Sequence, residues 1–229
     1  MAPVLAAAAL TACGPTPSEG AASTGTSTTL SATTTSSTAV APATTTTTAA
    51  ADPGLLPQTP AEPPVDGTLQ AALTPLWSAL VSGSQAAALG SFFPRAAYLQ
   101  MKTGVLPDPA SDYTNRLIAF YDLDLAVYHA ALGGGAPAAT LVSLDASPSD
   151  ASWIPPGSCE NTIGYWHLPG VRMVYQDGSA VRSFAIASLI SWRGVWYVVH
   201  LGPNPRPSNL GTVDQPATGP GTPGPPGGC

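Results

Sequence analysis

The sequence predicts an α+β domain in which N-terminal helices pack on a curved antiparallel sheet. Apolar residues recur at helical spacing between Leu69 and Leu132, and the period changes to two from Thr140 onward. Asp177-Gly178 stands between two alternating apolar runs, which is a strong hairpin signal. Helices followed by a meander of hairpin-linked strands are typical of this class.

The first predicted helix begins at an Asp66 or Thr68 cap and ends near Gly83. Its apolar stripe consists of Leu69, Leu73, Leu76, Trp77 and Leu80. Pro75 lies inside this helix, and we expect it either to kink the helix or to mark a later start capped by Thr74.

Two more helices are predicted before the strands. A short one spans 84–93 and stops at Pro94. A longer one is capped by Asp112 and ends at Gly133. The residues that share its inner face are Leu117, Phe120, Tyr121, Asp124, Tyr128, Ala131 and Leu132.

Five strands are predicted after the helices. They span 140–145, 163–168, 171–175, 180–192 and 195–201. The turns between the last four are Pro169-Gly170, Asp177-Gly178 and Arg193-Gly194.

Composition indicates which part of the chain folds. All 16 Phe, Trp and Tyr lie between Trp77 and Tyr197, and a core depends on such side chains. We therefore predict one globular domain over residues 66–206. The Thr-, Ser- and Pro-rich stretch 13–65 is expected to be a disordered stalk, either glycosylated or unmodified. The tail, 207–229, has 6 Pro and 6 Gly among 23 residues and is also expected to be disordered.

Charge and spacing exclude several classes of protein. Seven Lys and Arg against 13 Asp and Glu give a net charge of -6, which is unsuited to binding phosphate backbones, so we expect no nucleic-acid partner. No run reaches the roughly 18 to 20 apolar residues of a membrane-spanning helix. His129, His167 and His200 are far apart and no Cys or His pair has ligand spacing, so we expect no metal and no other cofactor.

The N-terminus contains a short apolar run that ends at a cysteine. Residues 3–10 are apolar, and Leu10-Thr11-Ala12-Cys13 closes the run just before the stalk. This order resembles the lipobox of bacterial lipoproteins, in which an aliphatic residue stands three before the cysteine and a small residue directly before it. The resemblance implies a signal peptide, 1–12, that is removed, and a lipid on the Cys13 thiol. It departs from a usual export signal in having no Lys or Arg before the apolar run.

A lipid at Cys13 implies a location and one partner. The protein is then exported and held at the outer face of the cell membrane through its acyl chains. Cys159 and Cys229 are the other cysteines, and the exported compartment permits a disulfide between them. Two free thiols are the alternative.

A second resemblance covers roughly residues 66–202. The opening helix, the Gly83-Ser84 break, the Phe92-Phe93-Pro94 segment and the closing strand 191–200 together resemble the nuclear transport factor two-like superfamily, which includes SnoaL-like cyclases and ketosteroid isomerases. The resemblance implies a cone that holds either a catalytic site or a pocket for a ligand or protein partner. No catalytic motif of the superfamily matches here, so no catalytic residue is assigned.

The candidate pocket residues come from the third helix and the strands. They are Tyr121, Asp124, Trp166, His167, Trp196 and His200. An enzyme would use Asp124, His167 or His200 as acid or base in an apolar cavity. The alternative is structural, with Asp124 paired to Arg172 or Arg182 and the histidines hydrogen-bonded at the core edge.

The sequence favours binding of a small ligand or an envelope protein over catalysis. The rival interpretation is an isomerase- or cyclase-type enzyme that acts on a small hydrophobic substrate. A third is an accessory subunit, which predicts an exposed apolar patch beside Pro155-Pro156. An aromatic pocket mouth would recruit the remaining ring residues of this region, Trp153, Tyr165 and Trp192.

Overall fold

Five α-helices lie against a six-stranded antiparallel sheet in the computed structural model, which describes residues 52–225, 227 and 228. This is the α+β class that the sequence predicts. The signal segment 1–12, Cys13 and Cys229 lie outside the described residues. Among the described helices, none has the length and apolar character needed to cross a lipid bilayer.

The helices begin and end at recognisable caps. They are α1 (Gly67–Ser82), α2 (Gln85–Ala88), α3 (Arg95–Lys102), α4 (Pro109–Asp112) and α5 (Ala119–Leu132). The Asp66 carboxylate accepts from the Thr68 N–H at 2.8 Å, and Gly83 ends α1 in the left-handed conformation. Pro75 neither starts nor interrupts α1. Asp108, rather than Asp112, caps the third predicted helix, because its carboxylate accepts from Ser111 N–H.

A π-helical segment, Tyr113–Ile118, joins α4 to α5. A π-helical turn contains one more residue than an α-helical turn. The side chains after α4 therefore face a different direction from the one that a continuous α-helix would give them. Such segments concentrate at functional sites. Here the segment contains Arg116 and Leu117, which both line the cavity described below.

The sheet is built around one long hairpin. Its strands are β1 (Thr140–Asp145), β2 (Ser152–Ile154), β3 (Tyr165–Asp177), β4 (Ala180–Trp192), β5 (Val195–His200) and β6 (Asp214–Thr218). β3 pairs with β4, β1 and β2 pair with β3, and β5 and β6 pair with β4. The predicted turn at Pro169-Gly170 is wrong, because β4 pairs with β3 on both sides of it and holds it as a bend within one strand.

The predicted disorder of the tail is wrong for its central part, which forms β6 on the edge of β4. The buried Arg172 guanidinium donates to Gln215 O at 2.7 Å and to Pro220 O at 3.4 Å. Pro216 is tolerated because an edge strand has unpaired N–H positions. A buried arginine that needs acceptors therefore orders a segment whose composition favours disorder.

The end of the predicted stalk also lies on the sheet. We call residues 53–64 the strap. Three indole N–H groups donate to strap carbonyls: Trp192 to Pro53 at 3.0 Å, Trp166 to Pro60 at 3.0 Å and Trp196 to Pro64 at 3.2 Å. A proline-rich chain leaves its carbonyls free of internal hydrogen bonds, so these can accept from side chains. The predicted disorder is therefore wrong for residues 53–64, which form the strap.

Candidate functional site

A cavity of about 280 Å³ lies between α3, the π-helical segment and the sheet. Its apolar lining is formed by Phe93, Met101, Leu106, Leu117, Ile154, Ile190 and Val199. Its polar side chains include Tyr98, Lys102, Asp112, Arg116, Asn161, Tyr165, His167, Ser188, His200 and Asn204. An apolar cavity with a limited set of polar groups is the usual form of a small-molecule site.

The sheet wall of the cavity is shaped by a β-bulge at Val199, which lies between the pairs Leu189↔Val198 and Ser188↔His200. The bulge breaks the alternation of side chains along β5. Val199 and His200 therefore both line the cavity, although they are adjacent in the sequence.

Both cavity histidines are neutral at pH 7. Burial, aided by the nearby positive charges of Arg116 and Arg206, lowers the pKa of His200 to about 4. Burial also lowers the pKa of His167, whose Nε2 lies 3.2 Å from Ser188 Oγ. The His200 imidazole has no hydrogen-bond partner among the described residues. It therefore presents one donor and one acceptor to the cavity.

The helical wall carries a charged cluster of three residues. Arg116 Nε and Nη2 each donate to the Asp112 carboxylate at 2.7 Å, and Nη2 also donates to Tyr98 Oη at 2.9 Å. The Tyr98 hydroxyl donates to the same carboxylate. Hydrogen bonds from Arg116 hold the pKa of Asp112 below its usual value, and burial raises that of Tyr98. Asp112 is therefore ionised at neutral pH, and the charge of Arg116 balances its charge.

Lys102 is the only lysine in the sequence, and it lies half-buried in the cavity lining. Its Nζ donates to Glu160 O at 2.9 Å and to Cys159 O at 3.5 Å. Both of these residues have φ of 55°, a left-handed conformation that costs a non-glycine residue on the order of 1 kcal/mol or more. Strain of this kind clusters at binding sites.

Cys159 is disulfide-bonded, and its partner lies outside the described residues, as do both Cys13 and Cys229. Gly228 lines the same cavity as Cys159, and its carbonyl accepts from Asn204 Nδ2 at 2.6 Å. Because Gly228 precedes Cys229 directly, this position is consistent with a Cys159–Cys229 pair, which stays a prediction.

The six predicted pocket residues do not come together. His167 and His200 line the cavity, whereas the other four are absent from its lining. Trp166 and Trp196 donate to the strap. Tyr121 is buried in the core, with its ring 4.2 Å from that of Phe92.

Asp124 is a structural residue with a partner that the sequence analysis did not name. Its carboxylate accepts from Arg206 Nη1 at 2.7 Å and Nη2 at 2.9 Å, and from the Gly202 and Thr212 N–H groups at 3.0 and 3.2 Å. The two arginines expected there are engaged elsewhere: Arg172 with the tail and Arg182 with Asp177, at 3.1 Å. The carboxylate thus ties α5 to the loop after β5.

The aromatic mouth also differs from expectation. Tyr165 lines the cavity, whereas Trp153 and Trp192 do not. Trp153 is 37% exposed near Pro155-Pro156, but its ring packs against Trp166 at 5.9 Å. Pro155 and Pro156 are exposed beside it, and the apolar patch expected there stays a prediction.

Sequence reasoning missed Tyr98, Lys102, Asp112 and Arg116 as cavity residues. Two signals concern Lys102: it is the only lysine of the sequence, and most of its neighbours in the chain are small or apolar. A third is the i, i+4 spacing of Asp112 and Arg116, which favours an ion pair on a helix. The sequence analysis did not predict α3, the helix on which Tyr98 and Lys102 lie.

Comparison of the chain with protein-family models, with curated proteins and with solved structures finds no match. Within the described part of the chain, no group of three or more His, Cys, Asp or Glu side chains is placed to hold a metal ion. The fold and the cavity define a small α+β domain with one candidate ligand site among the described residues.

Proposed function

We propose that this is a lipid-anchored, exported bacterial protein whose α+β domain binds a small ligand in the cavity between α3, the π-helical segment and the sheet. The observation that carries the proposal is the cavity of about 280 Å³, with its apolar lining and its two neutral imidazoles. The cone-like domain is, on this proposal, a member of the nuclear transport factor two-like superfamily that binds rather than converts its ligand.

Three further features support a binding site. Arg116 and Leu117 reach the cavity from a π-helical segment, and Val199 reaches it from a β-bulge. Cys159 and Glu160 line it in left-handed conformations. Each device costs stability locally, and such features persist where they position side chains for a ligand.

Binding fits the protonation states better than an isomerase or cyclase does. General-base chemistry on a small hydrophobic substrate needs a group whose pKa lies near the working pH. Burial lowers the pKa of His167, and the His200 pKa of about 4 makes that imidazole a weak base. Asp124, the third candidate, is held by Arg206 outside the cavity.

Filling the cavity tests ligand binding. Val199→Phe places a ring at the bulge, whereas Val195→Phe places the same ring at an exposed position of the same strand. We expect mass spectrometry of small molecules released from purified wild-type and Val195→Phe protein to detect a bound compound at about one equivalent. Val199→Phe should reduce it about tenfold or more, which is a loss of at least about 1.4 kcal/mol in binding. An unchanged amount of compound in folded Val199→Phe protein would show that the cavity is not the site.

A further inference from the structure

We propose that the ligand of this cavity is a small organic anion, whose acidic group pairs with Lys102 and whose apolar body lies on Met101, Leu117 and Ile190. This inference rests on the proposed function and names the chemical class of its ligand. The argument depends on the charges around Lys102, on the groups that face it and on the size of the cavity.

Lys102 is a partly buried ammonium that forms no ion pair with the described residues. Its two acceptors are the neutral carbonyls of Cys159 and Glu160. The ion pairs among the described residues join other groups, and no carboxylate oxygen of these residues lies within 4.0 Å of Lys102. A charge removed from water without a counter-ion is destabilised. A bound anion would supply the missing counter-ion.

The nearest carboxylates act on Lys102 only from beyond ion-pair distance: the charges of Glu160 and Asp112 raise the pKa of Lys102, but burial lowers it by more. Asp112 is already held by two hydrogen bonds from Arg116, and the Glu160 side chain is exposed. His167 and His200 are neutral, and Tyr98 keeps its proton because its pKa is raised. The charges that reach His200 from Arg116, Arg206 and Lys102 all have the same sign. The field at His200 is therefore positive, and it favours an anion on that side of the cavity.

The apolar lining and the size of the cavity limit the rest of the ligand. At a liquid-like share of about 30 Å³ for each water-sized group, the cavity has room for roughly nine or ten non-hydrogen atoms. The lining of Met101, Leu106, Leu117 and Ile190 suits a short hydrocarbon body. His200 is placed to exchange a hydrogen bond with a second polar group of the ligand.

Three probes of equal length and different charge test this inference: octanoate, octan-1-ol and octylamine. The protein is the full chain with Cys13→Ser, so that no detergent competes for the probes. By titration calorimetry at pH 7.5 we expect octanoate to bind about tenfold more tightly than octan-1-ol, and octylamine to bind most weakly. Lys102→Met should reduce the octanoate preference to less than about threefold. The matched control Arg182→Gln, which removes an exposed positive charge paired with Asp177, should preserve it.

A second measurement needs no cavity variant. Because the chain has one lysine, protein labelled with ¹³C-lysine gives a single lysine side-chain signal. Its titration reports the pKa of Lys102, which burial lowers in the free protein. Saturating octanoate should raise this pKa by about one unit or more, and octan-1-ol should leave it unchanged.

The outcomes separate this inference from the proposed function. Equal or tighter binding of octan-1-ol, or tightest binding of octylamine, overturns the anion while ligand binding stands. An unchanged Lys102 pKa in saturating octanoate also overturns it. If no probe binds, the anion proposal fails, and the compounds released from wild-type and Val199→Phe protein decide whether the cavity binds a ligand of another class.

Discussion

Asp214 is a buried carboxyl that lacks a full set of partners. Its side chain is 5% exposed, and Oδ2 has no hydrogen-bond partner in the described structure. Burial raises the pKa of Asp214 to about 6, and the charge of Asp124 adds to the rise while Arg172 opposes it. A carboxyl with a raised pKa in the folded state gives its full stabilisation below its unfolded pKa of 3.8 and loses it as pH rises through about 6.

Asp214→Asn should therefore stabilise the protein at neutral pH. The amide carries no charge to bury, so we expect the free energy of unfolding at pH 7.5 to rise by about 1–3 kcal/mol. At pH 4 the folded carboxyl is already protonated, and the gain should shrink to less than about 0.5 kcal/mol. Urea denaturation at the two pH values measures the difference, with Glu62→Gln, an exposed carboxyl, as the control. A gain of equal size at both pH values would contradict the role assigned to Asp214.

The strap is attached to the sheet by more than the tryptophan contacts. Gln58 Nε2 donates to Ser191 O at 2.9 Å, and Gln58 Oε1 accepts from Arg193 N–H at 2.6 Å. The second bond satisfies the backbone of the turn between β4 and β5. One glutamine thus connects the strap to the end of the hairpin whose strands carry Ser188 and His200.

Gln58→Ala should loosen this attachment without unfolding the domain. Removing the amide leaves the Arg193 N–H without its partner, at an expected cost of about 1–3 kcal/mol. Hydrogen exchange should show the Arg193 amide exchanging about tenfold faster or more, while amides in the middle of β3 and β4 are unchanged. Glu62→Gln lies on the exposed side of the same strap and serves as the control. If the Arg193 amide keeps its protection, the strap does not hold the turn.

Elements with strong local signals were predicted well, and elements held by neighbours were not. The bounds of β1 and β4 match the predicted 140–145 and 180–192, because alternation and the Asp177-Gly178 turn are encoded locally. β2 was missed because three residues are too few to show alternation. α3 was missed although Ala97, Tyr98 and Met101 are buried on one face of it. β6 was missed because its pairing depends on the free edge of β4.

The described residues belong to one compact unit, to which segments before and after the predicted domain both contribute. The strap precedes α1 and contacts Trp166, Trp192 and Trp196, whereas the tail supplies β6 and Gly228. The domain is therefore longer than the predicted 66–206 at both ends. On the proposed function, the strap fixes where the chain leaves the domain toward the membrane.

Cys13→Ser tests the anchor for the whole protein. Lipidation requires the thiol, and two acyl chains account for stable attachment while one does not. We expect wild-type protein in the membrane fraction, with an intact mass that shows loss of residues 1–12 and a gain of acyl chains. The serine variant should move to the soluble fraction without the added mass, while Cys159→Ser should stay with the membrane. Retention of the Cys13→Ser protein on the membrane would remove the proposed anchor.

The residues of the candidate site also differ in whether the nearby sequence or a distant contact determines where they lie. His167 and His200 were proposed from the sequence because strand alternation places them inward. The bulge at Val199 changes the alternation, so that His200 lines the cavity while Trp196 donates to the strap. Asp124 was misplaced because a carboxylate on an apolar helical face has the same pattern whether it meets a ligand or an arginine. Its partner, Arg206, is 82 residues away.

The order of the elements, the helical and alternating periods and the lipobox pattern are properties of short stretches, and for this chain the sequence was enough to give the α+β class, the central hairpin and the predicted anchor. The cavity, the ordered strap and β6 arise from contacts between residues tens of positions apart. Whether Arg172 donates to tail carbonyls, and whether Lys102 forms an ion pair with any described residue, depends on which distant groups folding brings together. Those pairings determine which groups are buried and which charges lie together, and on the proposed function they also determine the ligand. Only the tertiary structure could therefore reveal these pairings.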